Sequence, residues 1–331
     1  MANLLITDRC NRRCSFCFAQ SRVNRKNRNK RNANMPRENI RKVMKFLSLS
    51  GDRQLRLLGG EPTLHPEFIE IVEEALANGF FVHVFTNGIM KKEIADFLRK
   101  IPDNSISMLC NVSPQATDSD RKIEMRNYAL HRLGKIIQVG MTLTSPQFDY
   151  RYLIDYIKKY ELRKRIRIGI AQPIVGKENE FLKPSEYREA GKAIVQMVKA
   201  CIKEDILVGF DCGLTLCMFN EEEIGILMKC SEGFVVRCSP ILDIGQELDI
   251  WHCFPLSEVL ISKVEYFSNR NDAVKFYNDL VKPYRALGCM PECLRCNYLL
   301  RGQCSGGCLA HAMNSLNRLP PHYAKAEFET H

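Results

Sequence analysis

Three cysteines, Cys10, Cys14 and Cys17, stand in a C-x3-C-x2-C spacing near the start of a chain of 331 residues. Thiolates from one short loop can hold three irons of a four-iron cluster, which leaves the fourth iron open to a small chelating molecule. A structural zinc loop is the alternative, but such a loop groups four ligands closely, and the nearest later cysteine is Cys110. Ten of the fifteen cysteines form a second field between Cys212 and Cys308. Its densest stretch is Cys293-x2-Cys296-x7-Cys304-x3-Cys308, with Gly306 and Gly307 able to turn tightly beside a metal. Upstream, Cys238 and Cys253 bracket a segment containing Gly245, preceded by Cys212 and Cys217.

Between the two fields, an apolar run ends in Leu57-Leu58-Gly59-Gly60-Glu61-Pro62. The cysteine spacing, with Phe16 directly before the third cysteine, together with this Gly-Gly-Glu-Pro turn, resembles the radical S-adenosylmethionine (SAM) superfamily. The resemblance implies that Cys10, Cys14 and Cys17 hold a [4Fe-4S] cluster whose open iron is chelated by the amino and carboxylate groups of SAM. An electron from the cluster then cleaves SAM to methionine and a 5'-deoxyadenosyl radical, which abstracts hydrogen from a substrate. By position in the motif, Phe16 lies against the adenine, or else makes an ordinary core contact. Gly59 and Gly60 let the backbone approach the methionine end, and Glu61, followed by Pro62, accepts a charge-assisted hydrogen bond from the ammonium. Thr86 and Asn87 end the third strand and Asn111 and Ser113 the fourth, where similar enzymes use polar side chains for the ribose or carboxylate. Thr142 and Gln172 are further candidates of this kind, and helix capping is the other reading for all such residues.

The second field resembles the SPASM extension of radical SAM enzymes, which usually carries two auxiliary [4Fe-4S] clusters. Two departures stand out: the middle gap is seven residues instead of five, and no cysteine follows Cys308. Cys212 and Cys217 restore the number of thiolates to eight, with Cys230 and Cys289 spare. The resemblance groups Cys308 with Cys238 and Cys253, and Cys293 with Cys296 and Cys304; it leaves the fourth member of each set open. One cluster with free thiols, or a structural zinc, are the alternatives.

These residues need elements to hold them. Residues 3–7 read as a short buried strand feeding the first loop, followed by helical spacing from Pro36. Strands at 55–58, 80–85, 105–112, 136–143 and 165–170 then alternate with helices at 66–78, 93–98, 118–133 and 150–160. Repeated strand-helix alternation with short connections argues for a parallel sheet covered by helices. Six such units suit the α/β fold that the resemblance implies, a partial (β/α)6 TIM-like barrel with function at the C-terminal strand ends. An amphipathic helix at 185–203 carries Cys201 in its apolar stripe. A boundary near residue 205 then separates a barrel domain (1–205) from a cysteine-rich SPASM-like domain (206–318) and a polar tail (319–331).

The net charge is +10, much of it in the run Arg22 to Arg31. That run holds too few apolar residues to fold alone and reads as a solvated loop, or as a dock for an acidic peptide, a flavodoxin-type donor or nucleic acid. No aromatic residue interleaves it, which argues against nucleic acid. No window nears the ~18 apolar residues that cross a bilayer, and no apolar secretory segment opens the chain. A cytoplasmic protein without membrane partners is expected, in a reducing compartment that suits clustered thiols.

The expected function is a peptide maturase that cross-links or oxidises a ribosomally synthesised peptide (a RiPP precursor). Since the chain begins at its cluster strand, no leader-binding domain is expected in front, and a separate peptide-recognition protein would serve, beside a flavodoxin- or ferredoxin-type electron donor. The alternatives are a dehydrogenase or epimerase for a sugar or aminocyclitol, and a non-catalytic iron-sulfur electron carrier. Epimerisation needs a hydrogen donor, for which Cys110, Cys230 and Cys289 are conceivable. Spacing assigns no role to Asp211, His252 or Tyr298, and no general acid or base.

Overall fold

The strands follow the apolar runs closely: β1 (Ala2–Leu5), β2 (Gln54–Leu58), β3 (Phe81–Thr86), β4 (Ile106–Asn111), β5 (Ile137–Leu143) and β6 (Arg165–Ile170). Between them lie the helices α1 (Arg37–Ser48), α2 (Phe68–Ala77), α3 (Lys92–Leu98), α4 (Asp120–Leu133) and α5 (Arg151–Lys159), with α6 (Tyr187–Ile202) after β6. This computed structural model describes residues 1–20, 22–23, 33–234, 236–238 and 241–316. The six strands pair in chain order, all parallel. Right-handed crossovers between strands laid down in order put every connecting helix on the same face. That face is apolar: Leu55, Leu57, Val82, Val84, Met108 and Cys110 share one core with Ile71, Val72 and Ile94 of the helices.

The opposite face is polar. Asn3, Arg56, His83 and Ser107 are register neighbours across four strands, and Asn3 donates to Asp243 at 2.7 Å while the His83 ring meets the Ser107 hydroxyl at 2.6 Å. Burial, then the neighbouring Arg56 and Arg167, hold His83 down at about 4, so it is neutral. Alternation within β3 expresses the two faces: Val82 and Val84 are buried, whereas Phe81, His83 and Phe85 are half-buried.

The sheet does not stop at residue 205. On one side β7 (Leu207–Phe210) and β8 (Ser231–Glu232) continue it in parallel from β6. On the other, β9 (Leu242–Ile244) pairs in parallel with β1, and β10 (Asp249–Trp251) and β11 (Ser262–Lys263) follow antiparallel. The described residues thus form an eleven-stranded, mostly parallel sheet with β11 and β8 at its edges. Arg56 of β2 and Arg167 of β6, four strands apart, nevertheless lie within electrostatic reach of each other. So do Cys253 after β10 and Cys212 after β7. With strands about 4.8 Å apart, a flat sheet would hold these pairs too far apart, so the sheet is curled with its helix-free face inward.

The basic run is not wholly a solvated loop. Arg22 is buried, pairs with Asp249, donates to the Ser257 carbonyl at 2.7 Å and stacks 4.2 Å from the Trp251 ring. A guanidinium stacked on an indole and paired to a carboxylate in a dry site is a strong tether. It fastens the segment after Cys17 to β10. Residues 24–31, and the tail from Pro320 to His331, lie outside the described residues. Among the described residues, no helix is long and apolar enough to cross a membrane.

Candidate active site

All strands from β1 to β7 run the same way, so the turns after them gather along one edge of the sheet. The loop bearing Cys10, Cys14 and Cys17 follows β1, and the Gly-Gly-Glu-Pro turn follows its neighbour β2. Gly60 N donates to the Thr7 carbonyl at 3.0 Å and Glu61 N to the Arg9 carbonyl at 2.8 Å, extending the β1–β2 pairing into both loops. A Cβ on Gly59 would stand 2.7 Å from the Thr7 oxygen, and one on Gly60 would stand 2.4 Å from the Arg9 oxygen and 2.7 Å from Cys10 Cβ. The glycines are therefore needed for contact with the cysteine loop itself. Gly60→Ala is expected to push that loop aside at an overpacking cost of about 1–3 kcal/mol. Iron analysis after anaerobic reconstitution should show the Cys10 loop emptied, with far-ultraviolet circular dichroism unchanged.

Glu61 is engaged within the protein. Its carboxylate is fully buried and accepts from Thr63 N (3.3 Å), the Thr63 hydroxyl (2.7 Å), the Thr86 hydroxyl (2.7 Å) and Asn87 N (2.7 Å). Burial raises its pKa and these four donors oppose the rise. A carboxylate so occupied braces the turns after β2 and β3 and caps the short 3-10 turn Pro62–Leu64. Thr86 is spent on the same brace, accepting from Gly88 N at 3.0 Å. Asn87 donates to Asn11 Oδ1 at 2.8 Å and accepts from Ile89 N, while Asn11 donates to the Ile89 carbonyl. Thr86 and Asn87 thus tie the turn after β3 to Glu61 and to the cysteine loop.

A second tether holds the loop from the other side. Arg12, between Cys10 and Cys14, pairs with Asp118 through Nε at 3.1 Å and through its terminal nitrogen, and Arg126 of α4 reaches the same carboxylate at 3.2 Å. All three side chains are at most 5% exposed. Lys122 Nζ adds a 2.6 Å contact to the Asn11 carbonyl. The loop is thereby fixed to α4, and a guanidinium sits beside the thiols.

Burial pushes Cys10 up to about 11, Cys17 to about 12 and Cys14 upward as well; the loop's other thiolates add to the rise at Cys10 and Cys17. Half-buried thiols that resist ionising singly and repel one another as thiolates are a donor set that iron would hold deprotonated. Cys10 Sγ in addition accepts from Arg12 N at 3.4 Å. The residues therefore fit a four-iron cluster with one iron lacking a protein donor. Phe16 is half-buried between Cys14 and Cys17.

Asn111, Ser113 and Thr142 form a half-buried polar group at adjacent strand ends. Asn111 donates to the Thr142 hydroxyl at 3.1 Å and accepts from Ser113 N at 3.2 Å, which leaves each amide and hydroxyl capacity for a further partner. Their chemistry fits a ribose or carboxylate. Gln172, beyond β6, belongs to a group that spacing did not reveal: its amide oxygen lies 3.2 Å from His311 Nε2, which lies 3.2 Å from the Tyr187 hydroxyl. Burial holds His311 down at about 4. The available signal was a histidine three residues after Cys308, too weak alone. Cys110 is fully buried beneath Gly88, where a Cβ would meet its sulfur at 2.8 Å, so it packs and offers no hydrogen atom to a substrate.

The second field gathers into two neighbourhoods. Cys253 has Cys308, Cys238 and Cys212 within electrostatic reach. Cys217 has Cys304, Cys293 and Cys296. Cys289 hydrogen-bonds Cys293, and Cys230, at the end of the helix Glu221–Cys230, packs on the main core. Among the described residues, no three His, Cys, Asp or Glu side chains converge as donors to one metal ion. Thiols spread in fours suit a cluster, in which each iron takes its own thiolate.

The sequence model of the Radical SAM superfamily matches residues 4–133, so the chain carries a radical SAM domain there. The chain is 31% identical over 112 residues to a 7,8-dihydro-6-hydroxymethylpterin dimethyltransferase of Methanocaldococcus jannaschii, covering 33% of this chain and 21% of that protein. It is 25% identical over 249 residues to the GTP 3',8-cyclase of Helicobacter pylori, covering 71% of this chain and 74% of that one. The match thus spans about a fifth of the first of these relatives. Streptococcus suis SuiB bound to S-adenosylmethionine shares the fold, with a TM-score of 0.67 at 19% identity over 97% of this chain and 74% of that one. The same protein is known bound to its precursor peptide SuiA.

Proposed function

We propose that this chain is a radical SAM peptide maturase that oxidises or cross-links a ribosomally synthesised peptide. When bound, the SAM-carrying cluster supplies a 5'-deoxyadenosyl radical that abstracts hydrogen, and auxiliary [4Fe-4S] clusters supply a sink for the electron left behind. Cys10, Cys14 and Cys17 hold the first cluster, with Gly59, Gly60 and Glu61 shaping the turn beside it. Asn111, Ser113 and Thr142 orient the nucleoside or carboxylate of SAM. Cys212, Cys217, Cys238, Cys253, Cys293, Cys296, Cys304 and Cys308 hold the auxiliary iron in a SPASM-like part that begins after residue 205.

The observation that carries this reading is the second thiol field, eight cysteines drawn from both edges of the curled sheet. Forming a bond between two C–H positions removes two hydrogens: one atom leaves with the adenosyl group, and the other leaves as a proton and an electron. A chain with electron acceptors of its own is suited to that loss. The fold likeness to SuiB over nearly the whole chain supports a peptide as substrate. A nucleotide is the second reading, favoured by relatives named GTP 3',8-cyclase and by the inward Arg56 and Arg167.

The reconstituted, reduced protein should be incubated with SAM and either short peptides encoded beside its gene or GTP. The expected result is a peptide product about two mass units lighter, formed with 5'-deoxyadenosine. Turnover of GTP with every peptide unchanged would overturn the maturase reading.

A further inference from the structure

We propose that Cys217 supplies the fourth thiolate to Cys293, Cys296 and Cys304, while Cys212, from the same turn, completes the set of Cys238, Cys253 and Cys308. This rests on the reading that the field holds two auxiliary clusters. It adds that a single turn after β7 feeds both of them, and that Cys289 and Cys230 are not ligands.

The turn is built to separate its two cysteines. Gly213 has φ +101°, and a Cβ there would stand 2.2 Å from Gln172 Nε2, so the chain must pass tightly against the segment after β6. Thr215, 1% exposed, pins the middle of the turn: its hydroxyl lies 3.1 Å from Cys217 Sγ, and its methyl would stand 3.2 Å from a Cβ on Gly307. The 3-10 turn Leu216–Met218 then carries Cys217. The opposing strip, Cys304 to Cys308, is likewise divided. Cys304 Sγ accepts from Gly306 N at 3.3 Å, whereas Ser305 turns its hydroxyl to Cys238 N at 2.8 Å. Gly288 and Gly306 approach so closely that a Cβ on Gly306 would stand 2.6 Å from the Gly288 Cα, which brings Cys293 against the same strip.

Cys304 and Cys308 thus face different neighbourhoods across two glycines, as Cys217 and Cys212 do across Gly213 and Thr215. Cys217 has Cys304, Cys293 and Cys296 within reach, and Thr215, hydrogen-bonded to it, packs on Gly307 in the strip that carries Cys304. Cys289 is hydrogen-bonded to Cys293 and wedged against Gly307, where a Cβ would meet its sulfur at 3.0 Å. It is placed to donate its S–H to a ligand sulfur, a contact that tunes a cluster without joining it.

The test uses the full chain with Cys10, Cys14 and Cys17 all replaced by alanine, reconstituted anaerobically and read by iron and sulfide content and by electron paramagnetic resonance (EPR) after reduction. This background is expected to hold about eight irons in two clusters; failure to hold any would overturn the two-cluster reading and the present proposal together. Added Cys217→Ala should remove or open one cluster, deleting or shifting one EPR signal while the other persists. That persistence also shows that the protein has folded. Cys217→Asp, which keeps a donor atom, should retain about eight irons with one signal shifted. Cys289→Ala and Cys230→Ala should retain both clusters. With two clusters present in the background, the proposal is overturned if Cys217→Ala and Cys217→Asp both leave the two signals unmoved, or if Cys289→Ala removes one.

Discussion

Replacing Cys14 with alanine is expected to abolish formation of 5'-deoxyadenosine from SAM while leaving the auxiliary iron in place. Cys14 is the middle thiol of a loop fixed at four points: the Thr7 and Arg9 carbonyls against the Gly-Gly-Glu-Pro turn, Asn11 against Asn87, and Arg12 against Asp118. A loop so held does not supply a substitute donor, and its neighbours Ser15 and Arg13 are poor ligands for iron. Disturbing only the partners of a metal ligand costs about 10–100-fold, so loss of the ligand itself should exceed about 100-fold. Product quantified by liquid chromatography checks this. Cleavage at the parent rate would remove Cys14 from the ligand set.

The largest effect expected on stability is at Asp118. Removing its carboxylate leaves Arg12 and Arg126 buried without a counter-ion, and breaking such a pair costs about 3–5 kcal/mol. Asp118→Ala should therefore lower the urea midpoint markedly, and it should also release iron from the Cys10 loop, because Arg12 is part of that loop. Removing the charges with the acid reverses the argument: Asp118→Leu combined with Arg12→Met and Arg126→Met should recover most of the stability. A midpoint unchanged in Asp118→Ala would show that the three groups are hydrated and the tether weak.

Much of this architecture could be read from residues near one another in sequence. Strands β2 to β6 lie within a residue or two of the expected runs, because each is an apolar segment bounded by glycine, proline or a polar turn. Their parallel order follows from the helices between them. The two-residue β8 and β11 and three-residue β9 and β10 are too short for any periodicity, and they form because an open sheet edge is available to pair with. The continuation of the sheet beyond residue 205 was therefore not legible.

The turn at Gly59 to Pro62 was legible from its residues, whereas the groups that pack against it were not. Spacing says that Gly60 must come close to something, and only the fold shows that the Arg9 backbone fills that space. The resemblance gives Glu61 the SAM ammonium as partner; the four donors that surround it in the fold come from residues 2 to 26 positions away. Arg12 with Asp118, and Arg22 with Asp249, are separated by 106 and 227 residues. No local pattern announces such pairs. The sorting of the second field into two neighbourhoods depends likewise on Gly213, Gly288, Gly306 and Gly307, whose close contacts are tertiary.

The iron proposed near the start of the chain has a coordination position that no side chain fills. Continuous-wave EPR of the reduced protein carrying alanine at Cys293, Cys296, Cys304, Cys238, Cys253 and Cys308, recorded with and without SAM, isolates that iron from the auxiliary signals. The account predicts a reduced-cluster spectrum whose g-values move when SAM is added, and no such movement once Cys10, Cys14 and Cys17 are also replaced. A spectrum that SAM leaves untouched, with the Cys10 loop fully loaded with iron, would contradict it.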